Sequence, residues 1–247
     1  MADNRATSFG AQAQDYEAGR PEYPFDAVAW MLEILPAGAQ RVADVGAGTG
    51  KLTRAIAHAP GAQIVAIDPD PAMLAALREN VPGVPTFLGA AESLPLPGDS
   101  LDAVVLGQAW HWVDPVRASA EIGRVVRADG ALGLIWNIRD ERVDWVRELS
   151  RIMHRSAAEE ALAAGNPEVG APFGALESGV WEWSRPMTRE QLHRMAASRS
   201  AVIASAPEEQ ENIHREMDVL FDSLDFADGV IDLPYITKAF RARRGDR

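Results

Sequence analysis

The chain has 247 residues, of which 47% are hydrophobic and 24% charged, a composition that is typical of a folded protein and excludes a disordered one. Its 36 acidic residues outnumber its 24 basic ones and give a net charge of −12, which disfavours nucleic acid and anionic membranes as partners. Cysteine is absent, so disulfides, thiolate metal sites and cysteine nucleophiles are excluded. The five histidines show no ligand spacing, and we expect no metal site.

Segments that would direct the chain to a membrane or out of the cell are not recognisable in the sequence. Residues 1–19 lack the apolar core of a signal peptide, and no window approaches about 18 consecutive apolar residues. We therefore expect a cytoplasmic protein. No linker is long or flexible enough to separate a second domain, so residues 1–247 are predicted to form a single domain.

Helical and apolar patterns alternate along the first 138 residues. A helical pattern covers roughly residues 24–35. From residue 41 onwards, short apolar runs alternate with helical stretches, which is typical of a parallel sheet covered on both faces. The sequence therefore predicts a doubly wound α/β fold. The predicted strands are residues 42–45, 64–67, 84–88, 103–106 and 131–138, and the predicted helices between them are 51–59, 72–80 and 116–126.

After residue 138 the pattern becomes helical and rich in arginine. The last apolar run, residues 235–240, predicts a final strand at the edge of the sheet. The other predicted elements of this part are a helical stretch over 144–164, a strand over 180–183, a helix over 188–195 that begins at a threonine cap, and an amphipathic helix over 208–224.

A glycine-rich turn, Gly46-Ala47-Gly48-Thr49-Gly50, joins the first predicted strand to the helix that follows it. Glycines let the backbone turn sharply and let a ligand approach closely, and the N-terminus of a helix favours an anionic ligand group. The third glycine of a dinucleotide-binding fingerprint would fall at Lys51, and the Ser or Thr of a P-loop would fall at Leu52. The spacing therefore disfavours a nicotinamide-dependent oxidoreductase and a P-loop protein.

Two acidic residues accompany this turn. Asp44 precedes it near the end of the first predicted strand, and Asp68 ends the second strand. An acid about 20 residues beyond the glycines is placed to bind the two hydroxyls of a ribose. The combination predicts a nucleoside-binding site; the alternative is a structural turn beside a solvated carboxylate.

These motifs resemble those of the class I S-adenosylmethionine-dependent methyltransferases, of the methyltransferase type 11 group, and the resemblance spans most of the chain. Residues 44–50 resemble the family's first motif, and Asp68 its ribose-binding acid. Residues 89–95, 101–105 and 124–132 are similar to the segment beside the adenine, the fourth strand and the turn into the fifth strand. The resemblance implies a Rossmann-like seven-stranded sheet with an antiparallel last strand and a helical cap. Its expected parts are an N-terminal lid and helix over 1–40, a cofactor-binding core over 41–138, and the cap with the last two strands over 139–247.

The cofactor implied by the resemblance is S-adenosylmethionine. Many relatives carry an acid at the position of Ala90 that bonds the adenine, and its absence here moves this contact to the backbone near Ala91 or to Glu92. Arg20 suits the cofactor's carboxylate and would close over it with Tyr16; the alternative is a surface segment tethered by aromatic packing. The residues expected to bind the cofactor are Tyr16, Arg20, Asp44, Gly46, Ala47, Gly48, Gly50, Asp68, Pro69, Met73, Ala91, Glu92 and Gln108.

Further segments resemble the branch of the family that includes trans-aconitate methyltransferase. They are Phe9, Tyr16 and residues 20–24, then residues 107–114 with the string Gln-Ala-Trp-His-Trp, then residues 135–141. We expect methylation of a small molecule at a carboxylate or hydroxyl oxygen. The alternatives are carbon or nitrogen methylation, and a protein that binds the cofactor without catalysis. The acceptor's identity and the oligomeric state stay open.

Methyl transfer is an in-line displacement that needs positioning and a dry site; a hydroxyl nucleophile also needs a general base, whereas a carboxylate does not. Open α/β sheets bind ligands beyond the carboxyl ends of their strands, so residues after Leu106 and Ile135 are expected near the methyl group. His111 is the candidate catalytic residue, as base or hydrogen-bond donor; the alternative is a histidine packed between two tryptophans. The candidate substrate-binding residues are Trp112, Trp136, Asn137 and Arg139.

Two of these candidates have a structural alternative. Trp112, like Trp110, equally fits ordinary packing in the core or the lid. Arg139 either holds a substrate carboxylate through two hydrogen bonds or pairs with one of the acids that follow it, Asp140, Glu141 or Asp144.

Overall fold

The computed structural model describes residues 19–36, 38, 40–203 and 205–245. The expected cofactor contact of Tyr16 and the resemblance at Phe9 lie outside these residues. None of the helices in the described part combines the length and the hydropathy needed to cross a membrane.

Seven strands of the described chain form one mixed sheet. They are β1 (Gln40–Val45), β2 (Ala62–Asp68), β3 (Thr86–Leu88), β4 (Leu101–Gly107), β5 (Val126–Arg139), β6 (Glu177–Thr188) and β7 (Val230–Arg243). Their order in space is β3-β2-β1-β4-β5-β7-β6; β1 to β5 are parallel, and β7 runs antiparallel to both of its neighbours. The predicted doubly wound sheet with an antiparallel last strand is confirmed.

The prediction that the last strand lies at the edge of the sheet is wrong. β7 lies between β5 and β6, and β6 forms the edge. Along β6 most side chains are exposed or half-buried, whereas every second residue of β7 from Leu233 to Ala239 is buried. A strand with a neighbour on each side and helices over it buries more apolar side chains, which explains why residues 235–240 form the more apolar run.

Helices cover both faces of the sheet and build a cap. They are α1 (Phe25–Glu33), α2 (Lys51–Ala57), α3 (Pro71–Asn80), α4 (Pro115–Val125), α5 (Asp144–Ile152), α6 (Ala157–Ala164), α7 (Arg189–Ala197), α8 (Ser200–Ile203) and α9 (Pro207–Asp222), and a 3₁₀ turn spans Trp110–Trp112. The helical stretch predicted over 144–164 is divided in two, because Ser156 and Glu159 form a capping box that starts α6.

Buried apolar clusters hold these layers together. α1 and α2 pack on one face of the sheet, and α4 and α6 pack on the other. A further cluster joins α5, α7 and α9 to residues of β6 and β7 and forms the core of the cap. The carboxyl ends of β4 and β5 therefore lie where the sheet meets the cap, the position at which open α/β sheets bind ligands.

Candidate active site

Backbone hydrogen bonds hold the glycine-rich turn against the end of β2. Gly46 N and Ala47 N donate to Ile67 O at 2.8 and 3.1 Å, and Gly48 N donates to Asp68 Oδ2 at 2.8 Å. Gly46 and Gly48 have φ angles of +69° and +54°, which residues with a side chain rarely adopt. The turn that the sequence predicts thus depends on its glycines and brings Asp68 against its backbone.

Asp68 is fixed through both of its carboxylate oxygens. Oδ2 accepts from Gly48 N, and Oδ1 accepts from Asp70 N at 2.8 Å. Burial raises the pKa of the Asp68 carboxyl group, although these two hydrogen bonds oppose the shift. A carboxylate oriented in this way keeps acceptor capacity for a vicinal diol, because each of its oxygens can accept two hydrogen bonds.

Asp44 is fully buried behind the turn. Its Oδ2 accepts from Thr53 Oγ1 at 2.6 Å, whereas Oδ1 has no hydrogen-bond partner among the described residues. Burial raises the pKa of Asp44 to about 7, against the effect of the hydrogen bond from Thr53. A buried acid with an unused acceptor fits a cationic group, and the ammonium group of S-adenosylmethionine is one.

A cavity of about 440 Å³, which we call the turn cavity, lies between the glycine turn, the ends of β4 and β5, and residues 19–24. We call residues 19–24 the lid segment. Glu22 tethers this segment, since its Oε1 pairs with Lys51 Nζ at 2.8 Å and Arg54 Nη1 at 2.9 Å, and its carbonyl accepts from Asn137 Nδ2 at 3.0 Å. The turn cavity is lined by Arg20, Pro21, Tyr23, Gly46, Ala47, Gly48, Thr49, Lys51, Leu52, Gly107, Gln108 and Asn137.

A second cavity of about 400 Å³, which we call the cap cavity, adjoins the turn cavity. The two share Arg20, Pro21, Gln108 and Asn137, so these residues lie at the boundary between them. The cap cavity is lined in addition by Gly19, Arg139, Ser156, Glu159, Met195, Arg199 and Tyr235.

The two polar residues at this boundary are held rigidly. Gln108 has a φ of +55°, its backbone N donates to Ile135 O at 2.9 Å, and its Nε2 donates to Asn137 O at 2.7 Å. Asn137 Oδ1 accepts from Thr237 Oγ1 at 2.6 Å, and Asn137 Nδ2 donates to the carbonyl oxygen of Glu22 in the lid segment. The side chain of Asn137 therefore joins β5 to β7 and to the lid segment while it lines both cavities.

Positive charge dominates the wall of the cap cavity. Glu159 Oε1 lies 2.8 Å from Arg139 Nη2, and Glu159 Oε2 accepts from Arg199 Nη2 at 2.7 Å. Burial opposes ionisation of Glu159, but the two guanidinium groups prevail and hold its pKa at about 2. Because Arg20 also lines this cavity, three arginines face one carboxylate there.

The alternative in which Arg139 pairs with Asp140, Glu141 or Asp144 is wrong. Asp140 pairs with Arg142, Glu141 with Arg155 and Asp144 with Arg147. Arg139 is only 5% exposed, because successive side chains of a strand point to opposite faces and this one points under the cap. Its side chain is thus available to the cavity and not to the surface.

His111 lies between two tryptophans. Its Nδ1 accepts from Trp136 Nε1 at 3.4 Å, and its ring centroid is 4.8 Å from that of Trp112. Burial, with a contribution from the charge of Arg20, lowers the pKa of His111 to about 4. An indole N–H can only donate, so we assign the proton of the neutral ring to Nε2. In this tautomer His111 is a hydrogen-bond donor, and its basic nitrogen is already used.

The predicted substrate contacts are only partly brought together. Asn137 and Arg139 line the cap cavity, whereas His111, Trp112 and Trp136 line neither cavity. Trp136 is 2% exposed and packs edge-on against Phe240, so it lies in the core behind His111. The side chain of Trp136 therefore cannot contact a ligand unless the core around it repacks.

The candidates around the adenine lie close to Asp68 in the fold. Pro69 is half-buried, and Met73 and Ala91 are buried. Glu92 uses one carboxylate oxygen to accept from Asp114 N at 2.9 Å, which supports the start of α4. These residues line neither cavity, and their contact with a cofactor stays a prediction.

Several residues of the cap cavity are absent from the predicted set, among them the charged pair Glu159 and Arg199. Glu159 could have been noticed, because Ser156-Ala-Ala-Glu159 is the sequence signature of a capping box. Nothing in the sequence indicates that Arg199, which follows α7 and lies 40 residues further along the chain, meets the same carboxylate.

Comparison with known proteins agrees with this geometry. A family model described as a methyltransferase domain matches residues 43–134. An uncharacterized methyltransferase of Mycobacterium bovis is 44% identical over 238 residues, which are 95% of this chain and 95% of the relative. The malonyl-[acyl-carrier protein] O-methyltransferase of Methylococcus capsulatus is 35% identical over 51% of this chain and 48% of its own. A solved structure from Anaeromyxobacter dehalogenans, described as a type II methyltransferase, has a TM-score of 0.70 at 23% identity and covers 92% of this chain and 99% of that one.

Proposed function

This chain belongs to the class I S-adenosylmethionine-dependent methyltransferases, and we propose that it transfers the methyl group to a carboxylate oxygen of a small molecule. The cofactor is S-adenosylmethionine, which supplies an electrophilic methyl group on a sulfonium sulfur when it is bound. The acceptor would lie in the cap cavity and meet the methyl group at the boundary formed by Gln108 and Asn137.

The charge of the cap cavity is the observation that carries this proposal. Among the described residues, the ionisable side chains of its wall are those of three arginines, Glu159 and Tyr235. Glu159 stays ionised in its ion pairs, and burial raises the pKa of Tyr235, so neither is a base suited to neutral pH. A carboxylate needs no base and is attracted by arginine, whereas a hydroxyl needs a base and a protonated amine is repelled.

The changes in bonding and charge during transfer to a carboxylate also suit this site. An oxygen–carbon bond forms as the sulfur–carbon bond breaks, its electron pair goes to sulfur, and no proton is released. An anion and a cation become two neutral products, so a site that excludes water favours the step. The resemblance to the trans-aconitate methyltransferase branch and the similarity to the malonyl-[acyl-carrier protein] O-methyltransferase of Methylococcus capsulatus also favour a carboxylate acceptor.

The residues that line the turn cavity, together with the two acids behind its wall, would hold the cofactor. Asp68 would accept hydrogen bonds from the ribose hydroxyls, the unpartnered Oδ1 of Asp44 would meet the ammonium group, and Arg20 would meet the carboxylate. His111, as a neutral donor between two tryptophans, would support the wall near Arg20 and would not act as a base.

The test is a methyl-transfer assay with radiolabelled S-adenosylmethionine and a panel of small carboxylic acids, phenols and amines of matched size. We expect transfer to carboxylic acids, and the label should be released by mild alkali because a methyl ester forms. Transfer to phenols or amines in preference to acids would overturn the proposal. The Asp68→Ala variant serves as the control that lacks cofactor binding.

A further inference from the structure

We propose that Arg139 and Arg199 form an anion subsite that binds a second anionic group of the substrate, remote from the carboxylate that accepts the methyl group. The shared chemistry of this group is a compact oxyanion, either a carboxylate or a phosphate. This inference rests on the proposed function, since it specifies the substrate of the same site, but it can be tested without turnover.

Among the described residues, the buried charges of this subsite do not balance. Arg139 and Arg199 share the single carboxylate of Glu159, and all three side chains are nearly or fully buried. Arg199 Nε is buried and has no hydrogen-bond partner among the described residues. Burial and repulsion by Arg139 lower the pKa of Arg199 to about 10. A bound anion would remove the cost of the uncompensated buried charge.

The three side chains are held in place before any ligand binds. Ser156 donates to Glu159 Oε2 from its backbone N at 2.8 Å and from its Oγ at 2.9 Å. Arg139 Nε donates to Ser150 Oγ at 2.9 Å, and Arg199 Nη2 also donates to His154 O at 3.1 Å. Both guanidinium groups therefore keep a fixed orientation, which favours bidentate binding of an oxyanion.

The subsite lies at a suitable distance from the boundary of the cavities. Asn137 and Arg139 are two residues apart on the same face of β5, which separates them by about 7 Å. Both line the cap cavity. A small molecule with two acidic groups can therefore place one at the arginines and present the other near Gln108. The substrate class that follows is a dicarboxylic acid or a phosphorylated carboxylic acid.

The experiment compares two substitutions that change the charge of the subsite in opposite directions. Arg199→Met leaves a neutral pair of Arg139 and Glu159, whereas Glu159→Gln leaves two guanidinium groups without a carboxylate. Binding of malonate and, separately, of inorganic phosphate is measured by calorimetry on protein saturated with S-adenosylhomocysteine. We expect Arg199→Met to weaken binding of the preferred anion by about 10- to 100-fold, the effect of losing a charged hydrogen-bonding partner, and Glu159→Gln to tighten it.

The conservative variant Arg199→Lys keeps the charge and is expected to bind the anion with intermediate affinity, so the test survives if Arg199→Met fails to fold. Preference for malonate or for phosphate in the wild type identifies the kind of oxyanion. Equal losses in Arg199→Met and Glu159→Gln, or failure of the wild type to bind either anion, would overturn the subsite. Anion binding without any methyl transfer would instead overturn the proposed function and leave the subsite standing.

Discussion

The turn cavity and the cap cavity adjoin each other, but the charged groups around them differ. The turn cavity is lined by the backbone of the glycine turn and by side chains that include Arg20 and Lys51, and two acids, Asp44 and Asp68, lie behind its wall. The cap cavity is formed by side chains, and arginines dominate it. Burial raises the pKa of both acids near the turn, whereas the arginines hold that of Glu159 at about 2. The two acids behind the glycine turn thus suit cationic and hydroxyl groups, whereas the arginines of the cap cavity suit anions.

The residues of the two cavities also differ in how the structure brings them together. A glycine turn at the end of the first strand follows directly from the parallel sheet, and it orients Asp68 through the backbone. The arginines of the cap cavity come from β5 and from the segment after α7, and only packing of the cap brings them together. Under the proposed function, the methyl donor would be recognised by residues that the parallel sheet positions, and the acceptor by residues that the packing of the cap brings together.

The largest expected effect is on the turn side. Asp68→Ala should weaken S-adenosylmethionine binding by about 100-fold or more, because two hydrogen bonds to a charged acceptor are lost. Binding of malonate or phosphate at the cap cavity should change little. Calorimetry with each ligand measures both. Asp129→Asn, which removes an exposed acid remote from both cavities, is the matched control. A similar loss of both ligands in Asp68→Ala would mean that the two cavities are not independent.

A smaller effect is expected from the protonation of Asp44. In the free protein its pKa is about 7, and a bound ammonium group would favour the ionised form, so binding below pH 7 must release a proton. S-adenosylhomocysteine affinity should therefore fall by up to about tenfold for each pH unit below about 7 and stay level just above it. The contribution of Asp44 to the stability of the free protein should fall as the pH rises from about 4 towards 7, because its folded-state pKa lies above the ordinary value of 3.8, whereas the lowered pKa of His111 acts in the opposite direction.

The Asp44→Asn variant isolates this effect. It should bind S-adenosylhomocysteine more weakly than the wild type near pH 7.5, a value chosen because a carboxylate with a pKa of about 7 is largely ionised there, and it should lack the fall in affinity at lower pH. Calorimetry across the pH range, with circular dichroism to confirm folding, measures both. Wild-type affinity that does not change between about pH 5.5 and about pH 8 would show that Asp44 does not meet the ammonium group.

The sequence predicted the turn side more completely than the cap side, and the physical reason lies in the range of the interactions. The sequence indicates Asp44, the glycines and Asp68 because each lies at the end of a strand or directly after it. The sequence indicates Arg139 but not its partner, because Glu159 lies 20 residues further along the chain in a separate helix that begins at a capping box. The edge position of β7 was wrong because strand order depends on pairings that a local pattern does not contain.

The smallest expected effect concerns His111, which lies near Arg20 at the boundary between the two sides. Because its Nδ1 already accepts from Trp136 and its pKa is about 4, His111→Gln should lower kcat by less than about tenfold and leave the pH profile above pH 6 unchanged. His58→Gln, which alters an exposed histidine, is the matched control. A general base would contribute about 100- to 10,000-fold, and a loss of that size would favour a hydroxyl acceptor. The size of the decrease in kcat therefore distinguishes two kinds of acceptor. A carboxylate acceptor is already ionised and needs no base, whereas a hydroxyl acceptor needs a base that removes its proton.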